Sequence, residues 1–275
     1  MKCIDFDKKF SDYTAAWLKA HSKEYKTYEA LEAAMPDVYL QFLNAPAPWL
    51  AGITPGAYFS QFDDIKDLVD WLCEYVNRGI AVPDLLLNRI VEIGKPAEKR
   101  LVAVLDDQHQ PAEAKMLAVG LLRELESTLP KMRYIAWQID RKDKDELADN
   151  ACESLLSMGK SAVQPMLEAL PRANAAGREA LFDILSHYPG NARVTDAGLA
   201  LFDERPARRA VLAGGLGRLG DERALAPLIA AALSEDVDYL TYIELRSAIE
   251  ALGGDAPERE FSENDPTFDA LQQLQ

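Results

Sequence analysis

Histidine and cysteine are scarce in this sequence, with three of each in 275 residues. His21, His109 and His187 stand alone, none within an H-E-x-x-H run and none with an acidic neighbour at ligand spacing. No ligand set for zinc or iron can be assembled from them, so no metal and no other cofactor is expected. Cys3, Cys73 and Cys152 lie far apart and form no C-x-x-C pair. A sparse, odd set of this kind reads as reduced thiols and places the protein in the cytoplasm. A G-x-S-x-G nucleophile elbow is also missing, and no Cys–His pairing can be proposed. Catalysis is therefore not expected, although composition alone does not exclude it.

Basic blocks are missing as well. The net charge is −15, divided as −4 through residue 82 and −11 beyond it. A field of that sign repels a phosphate backbone, so nucleic acid is not an expected partner. The first residues, MKCIDFDKKF, are charged throughout and carry no apolar core of a signal peptide. Positions 38–62 hold no charge, but Pro46, Pro48, Gly52, Pro55 and Gly56 interrupt them. A spanning helix needs about 20 largely unbroken apolar residues. No membrane segment is expected.

The chain does hold a glycine pattern. Gly215-Leu-Gly217-Arg-Leu-Gly220 matches G-x-G-x-x-G, the phosphate-binding turn of dinucleotide enzymes. Reading backward from Gly220, apolar residues fall at Leu219, Leu216 and Leu212. The same offsets give Ile93, Ile90 and Leu86 before Gly94, then Met158, Leu155 and Ala151 before Gly159. They recur as Leu252, Ile249 and Leu245 before Gly253, and more loosely as Leu185 and Phe182 before Gly190. Such spacing is one face of a helix ending at a left-handed C-cap. Forward of Gly159 come Val163, Met166, Leu167 and Leu170, a second apolar helix face, and Leu225, Leu228, Ile229 and Leu233 follow Gly220. Asp221, Asn191 and Ser161 are candidate N-caps for these second helices, and Pro165 and Pro227 should kink them.

The glycines are spaced by 65, 31, 30 and 33 residues. A further unit centred near Ser127, with helices over 111–126 and 130–139, fills the double gap. A helix–turn–helix repeating every 30 or so residues is the signature of an α-solenoid. Within it Gly220 belongs to the repeat, so the G-x-G-x-x-G match is read as coincidental. Its small residues at 214, 215 and 217 are expected to admit neighbouring helices.

The run Leu216-Gly-Arg-Leu-Gly-Asp-Glu-Arg-Ala-Leu-Ala-Pro-Leu-Ile229 resembles the HEAT-like repeat of the phycobilisome-lyase type. In that repeat a first helix ends at glycine, Asp caps the second, and A-x-P-x-L opens it. Residues 151–170 and 205–253 match best; 83–150 and 173–204 are degenerate. The resemblance implies an all-α, HEAT-like or armadillo-type solenoid over 83–253, and a protein–protein interaction or scaffold function along its surface. An enzyme or chromophore-handling protein of the lyase-type family is the alternative. A HEAT-like DNA glycosylase is a second, disfavoured because Lys95, Lys99, Arg100, Lys160 and Arg193 on the second helices are offset by Glu98, Glu168, Asp196, Asp221 and Glu222.

Residues 1–82 differ in holding 14 of the 23 aromatic residues. Helices are expected over 10–23, 27–34, 37–43 and 63–77, forming a cap on the first repeat. The uncharged loop bearing Trp49, followed by Tyr58, Phe59 and Phe62, is a candidate pocket, with packing beneath the cap as the competing reading. The acidic segment 254–275 should close the other end through Phe261, Phe268, Leu271 and Leu274, with a short helix over 268–274. A protein or peptide partner is expected along helix 130–139, whose core face is predicted as Met132, Ile135, Ala136 and Ile139. Tyr134 and Trp137 lie beside that face as contact residues, and Lys99, Gln164 and Glu168 form its polar rim. The charge run 140–146 lacks the glycine of a calcium loop and reads as a solvated linker.

Overall fold

The computed structural model describes residues 2–142 and 144–261. Among the described residues the chain is all-helical, with fourteen α-helices, several short 3-10 turns and no strand. It divides into two compact units, 1–129 and 130–275.

The first unit contains α1 (Phe6–His21), α2 (Tyr28–Asn44), α3 (Ile65–Asn77), α4 (Asp84–Ile93), α5 (Pro96–Asp106) and α6 (Ala112–Glu124). Residues 83–129 thus share a compact unit with the aromatic-rich segment. Asp5 accepts from the Lys8 amide at 2.8 Å and starts α1 earlier than its apolar pattern suggests. The two helices expected on either side of Pro36 are one continuous helix, α2, with the proline inside it. Interior proline costs about 3 kcal/mol. Burial of Val38 and Phe42, with Phe10 and Tyr13 packed 5.3 and 5.5 Å from the Phe42 ring, offsets that cost. Ahead of α1, the Tyr75 hydroxyl accepts from the Ile4 amide and donates to the Ile4 carbonyl, each at 3.0 Å. One buried side chain therefore ties the N-terminal segment to α3.

The second unit contains α7 (Lys131–Ile139), α8 (Glu146–Ser157), α9 (Lys160–Ala169), α10 (Ala175–Leu185), α11 (Ala192–Glu204), α12 (Arg209–Leu219), α13 (Leu225–Ala232) and α14 (Tyr239–Ala251). The consecutive pairs α7–α8, α9–α10, α10–α11, α11–α12 and α13–α14 pack together, and so do helices two apart: α7 on α9, and α8, α10, α12 and α14 in succession. Asn191 and Asp221 cap as expected, each accepting from the amide two residues on at 3.1 Å. Side-chain and backbone donors of Arg223 hold the Asp221 carboxyl well below the usual carboxylate range. Ser161 is not a cap. It lies inside α9, which starts directly after Gly159, and its hydroxyl donates back to the Met158 carbonyl.

Each of the five repeat glycines has φ between 64° and 89°. In the double-length gap the left-handed position exists too, and Glu126 holds it at φ 53°. The Glu126 amide donates to the Arg123 carbonyl and the Ser127 amide to that of Leu122, closing α6 as a glycine would. The unit expected near Ser127 carries no marking glycine because Glu126 takes the left-handed position instead.

No strand precedes Gly215. Gly215 and Gly217 lie inside α12, and Gly220 is its left-handed C-cap. A Cβ on Gly215 would come within 2.6 Å of the Phe182 ring, and one on Gly217 within 3.2 Å of the Ala248 backbone. Gly214 has no such neighbour. Close helix approach, and no phosphate, accounts for two of the three small residues.

After α14 the chain crosses back over the helix ends. Arg259 donates to the Ser234 carbonyl at 2.6 Å and covers the Phe261 ring at 4.8 Å. Phe261 packs 5.1 Å from both Tyr239 and Tyr242. Phe268, Leu271 and Leu274 lie outside the described residues.

A non-glycine residue in the left-handed region carries a conformational cost of about 1 kcal/mol. Glu126→Gly is therefore expected to stabilise the protein by about 0.5–1 kcal/mol, and Gly220→Ala to destabilise it by a similar amount, in urea denaturation. A destabilising Glu126→Gly would show that the carboxylate makes contacts worth more than the relieved strain.

Candidate functional site

A groove of about 650 Å³ in the second unit is lined by the N-terminal half of α8, the length of α10 and the first turn of α12, with the segments leading into α8 and α12. Two of its lining residues, Arg141 and Cys152, are tied to Gln138, a fully buried polar residue near the end of α7. The Gln138 side-chain amide donates to the Ala148 carbonyl at 2.9 Å, and its oxygen accepts from Arg141 at 2.9 Å and from the Cys152 thiol at 3.3 Å. The Arg141 guanidinium also meets Asp149. At 14% exposure Arg141 is a wall of the groove, which corrects the solvated-linker expectation at that position, while Asp140, Lys142 and Lys144 are exposed. An apolar residue at position 138 would leave these donors and acceptors without partners, at a cost of about 1–3 kcal/mol each.

Backbone contacts fix α10 beside this network. The Asn174 amide donates to the Ile139 carbonyl at 2.9 Å, and its side chain donates to the Arg141 carbonyl at 2.7 Å. Gly177 sits where any Cβ would collide with the Gln138 carbonyl. One turn along, Glu179 is 14% exposed and receives Arg205 at 2.7 Å and Arg208 at 2.8 Å. That hydrogen bonding keeps the Arg208 guanidinium above its ordinary value. Asp183 pairs with Arg218 at 2.5 Å. Between these groups the floor is apolar, made by Ala176, Ala180, Ile184 and Val211, and Val211 is 50% exposed.

Arg141, Lys142, Lys144, Arg205 and Arg208 line the groove against Asp149, Glu179 and Asp183, a surplus of two positive charges in a chain of net −15. Cys152 lies at its edge. Burial pushes the Cys152 thiol up to about 11, so it stays protonated at neutral pH and offers no thiolate nucleophile. No group of three or more His, Cys, Asp or Glu residues able to hold a metal occurs among the described residues.

None of the contact residues expected from sequence lines this groove. Tyr134 is 0% exposed and belongs to the core, as do Ile135 and Gln138, whereas Met132 and Ala136 are exposed. The buried face of α7 is thus rotated from the predicted one, because Gln138 is drawn inward by its hydrogen bonds. Trp137 is half-buried, its ring 5.6 Å from that of Tyr134. Gln164 and Glu168 are exposed on α9 and hydrogen-bond each other at 2.8 Å, and Lys99 is exposed on α5 in the first unit.

The aromatic set of the first unit is one cluster, in which Phe6 packs 5.5 Å from Trp49, 6.0 Å from Tyr58 and 5.6 Å from Phe59. Phe59 is buried, and Tyr58 and Phe62 are half-buried, all three packed around Trp71 at 5.1 to 6.0 Å. Trp49 lines a groove of about 320 Å³, with Tyr13, Phe42 and Pro48 among its walls. The basic residues of the larger groove were present in the charge run 140–146 and at 205–208. Their periodic partners on α10 gave no motif that could identify them.

Tyr134→Ala is expected to cost about 3–5 kcal/mol in thermal or urea unfolding, and Trp137→Ala about half of that. Alkylation of Cys152 by iodoacetamide should stay slow at pH 8 and accelerate only as pH approaches about 11, where the thiol ionises. Labelling at pH 8 as fast as that of free cysteine would contradict the protonated thiol.

No family model, curated protein or solved structure matches this chain.

Proposed function

We propose that the chain is a HEAT-like α-solenoid that binds a partner protein in the cytoplasm and performs no chemistry of its own. The left-handed positions at 94, 126, 159, 190, 220 and 253 support the repeat, being spaced by 30 to 33 residues. Packing of α8, α10, α12 and α14 in succession supports the stacking expected of such repeats. Among the described residues no helix is long and apolar enough to cross a membrane, and the three cysteines are free.

The observation that carries the proposal is the groove across α8, α10 and α12. A groove lined by successive repeats offers the kind of extended site that solenoids use for partners. Its thiol is protonated and its arginines are held by carboxylates, which suits recognition better than acid–base catalysis. The site therefore lies along the first helices of the repeats, away from the α7 ridge that the sequence suggested.

Panning a random phage-displayed peptide library on the full-length chain tests this directly. Enriched peptides should bind the wild-type protein and lose binding to Ala180→Trp, which fills the groove floor, with its melting temperature as the control for folding. Enriched peptides indifferent to Ala180→Trp would remove the groove from the site, and no enrichment would overturn the interaction function.

A further inference from the structure

We infer that the groove across α8, α10 and α12 recognises a short, extended, acidic segment of a partner protein, with an apolar residue of that segment on the Ala180–Val211 floor. This rests on the groove being the binding site and specifies the chemistry of its occupant.

The charge balance around each group leads to that occupant. Glu179 faces two guanidinium groups, Arg205 and Arg208, so one positive charge there has no matching carboxylate. Arg205 uses only one of its terminal nitrogens on Glu179 and the Ala175 carbonyl, leaving planar donors for a second carboxylate. Lys142 and Lys144 are exposed and make no ion pair with a described residue. Arg141 and Asp183 are matched, by Asp149 and Arg218. Among the described residues, the groove therefore presents cations without a matching carboxylate at both ends of an apolar floor.

Its dimensions fit a peptide strand. Three successive helices with axes about 8–10 Å apart span about 20 Å. At about 3.3 Å per residue that is about six extended residues. Carboxylates near each end would meet Lys142 on one side and Arg205 and Arg208 on the other. A central aliphatic side chain would cover the exposed Val211. A single-stranded nucleic acid fits less well. No aromatic side chain lines the groove to stack a base, and the net charge of −15 opposes a long polyanion.

Fluorescence polarisation on the full-length chain tests this with three labelled probes: a peptide of about six residues alternating Glu and Leu, its Lys–Leu counterpart, and an oligouridylate of equal length. The Glu–Leu peptide should bind, and more weakly as NaCl rises from about 0.05 to about 0.3 M. The double variant Lys142→Glu with Val211→Glu should weaken it on the order of tenfold. Neither residue holds an ion pair with a described residue, and a glutamate in the first turn of α12 favours the helix, so the variant should fold. Lys23→Glu with Lys26→Glu makes a larger change in net charge in the first unit and should shift the affinity less than about twofold. The inference is overturned if the groove variant binds as the wild type does, or if the Lys–Leu peptide or the oligouridylate binds as tightly. Should the Glu–Leu peptide fail while panned peptides still require an open floor at Ala180, the acidic assignment falls and the interaction function stands. Should neither bind, both fall.

Discussion

The turn that ends each first helix is the constraint on which the repeat depends. An α-helix leaves its last four carbonyls without partners. A residue at positive φ reverses the chain, covers some of those carbonyls, and lets the second helix return alongside the first. Where the turn follows α12, Gly220 adopts φ 67° and Asp221 next to it caps the following 3-10 turn. The direction of α12 fixes where Gly217 meets Ala248 and where Gly215 receives the Phe182 ring. Lengthening or losing that turn would move every contact that follows.

Ion pairs add orientation to this packing more than stability. Arg178–Glu204, Arg223–Asp196 and Arg218–Asp183 each join residues roughly one repeat apart and are substantially solvent-exposed. Exposed pairs of this kind contribute about 0–1 kcal/mol. Glu179 is different. With two guanidinium partners and little exposure, it is a desolvated charge whose partners hold it in place. Removal of both arginines would strand it, which is why such pairs fix geometry strongly even where their net stabilisation is small.

The groove itself arises from a polar knot. Gln138 brings the end of α7, the start of α8 and the loop between them to one point through Ala148, Arg141 and Cys152. Gly177 allows α10 to approach the main-chain carbonyl of Gln138. A leucine at 138 would satisfy the helical apolar period better, yet would release Arg141 to solvent. Local period and tertiary hydrogen bonding disagree here, and the tertiary term decides which face of α7 is buried.

The sequence by itself determined the helices, most of their ends, and the positions where the chain reverses. Those features depend on local chemistry: apolar residues at three- and four-residue offsets, Asp and Asn caps, and glycine at positive φ. Phe261 covering the last helix was also legible, since an aromatic residue after a final amphipathic helix has few other places to go. Tertiary structure alone decided that α2 runs through Pro36, because the burial of Val38 and Phe42 outweighs one lost backbone bond. It decided that Glu126 completes the series of turns, a conformation that no residue type but glycine advertises. It also decided the candidate site. Arg141, Glu179, Arg205 and Arg208 come from three separate segments, and charge matching between segments leaves no periodic trace in a single sequence.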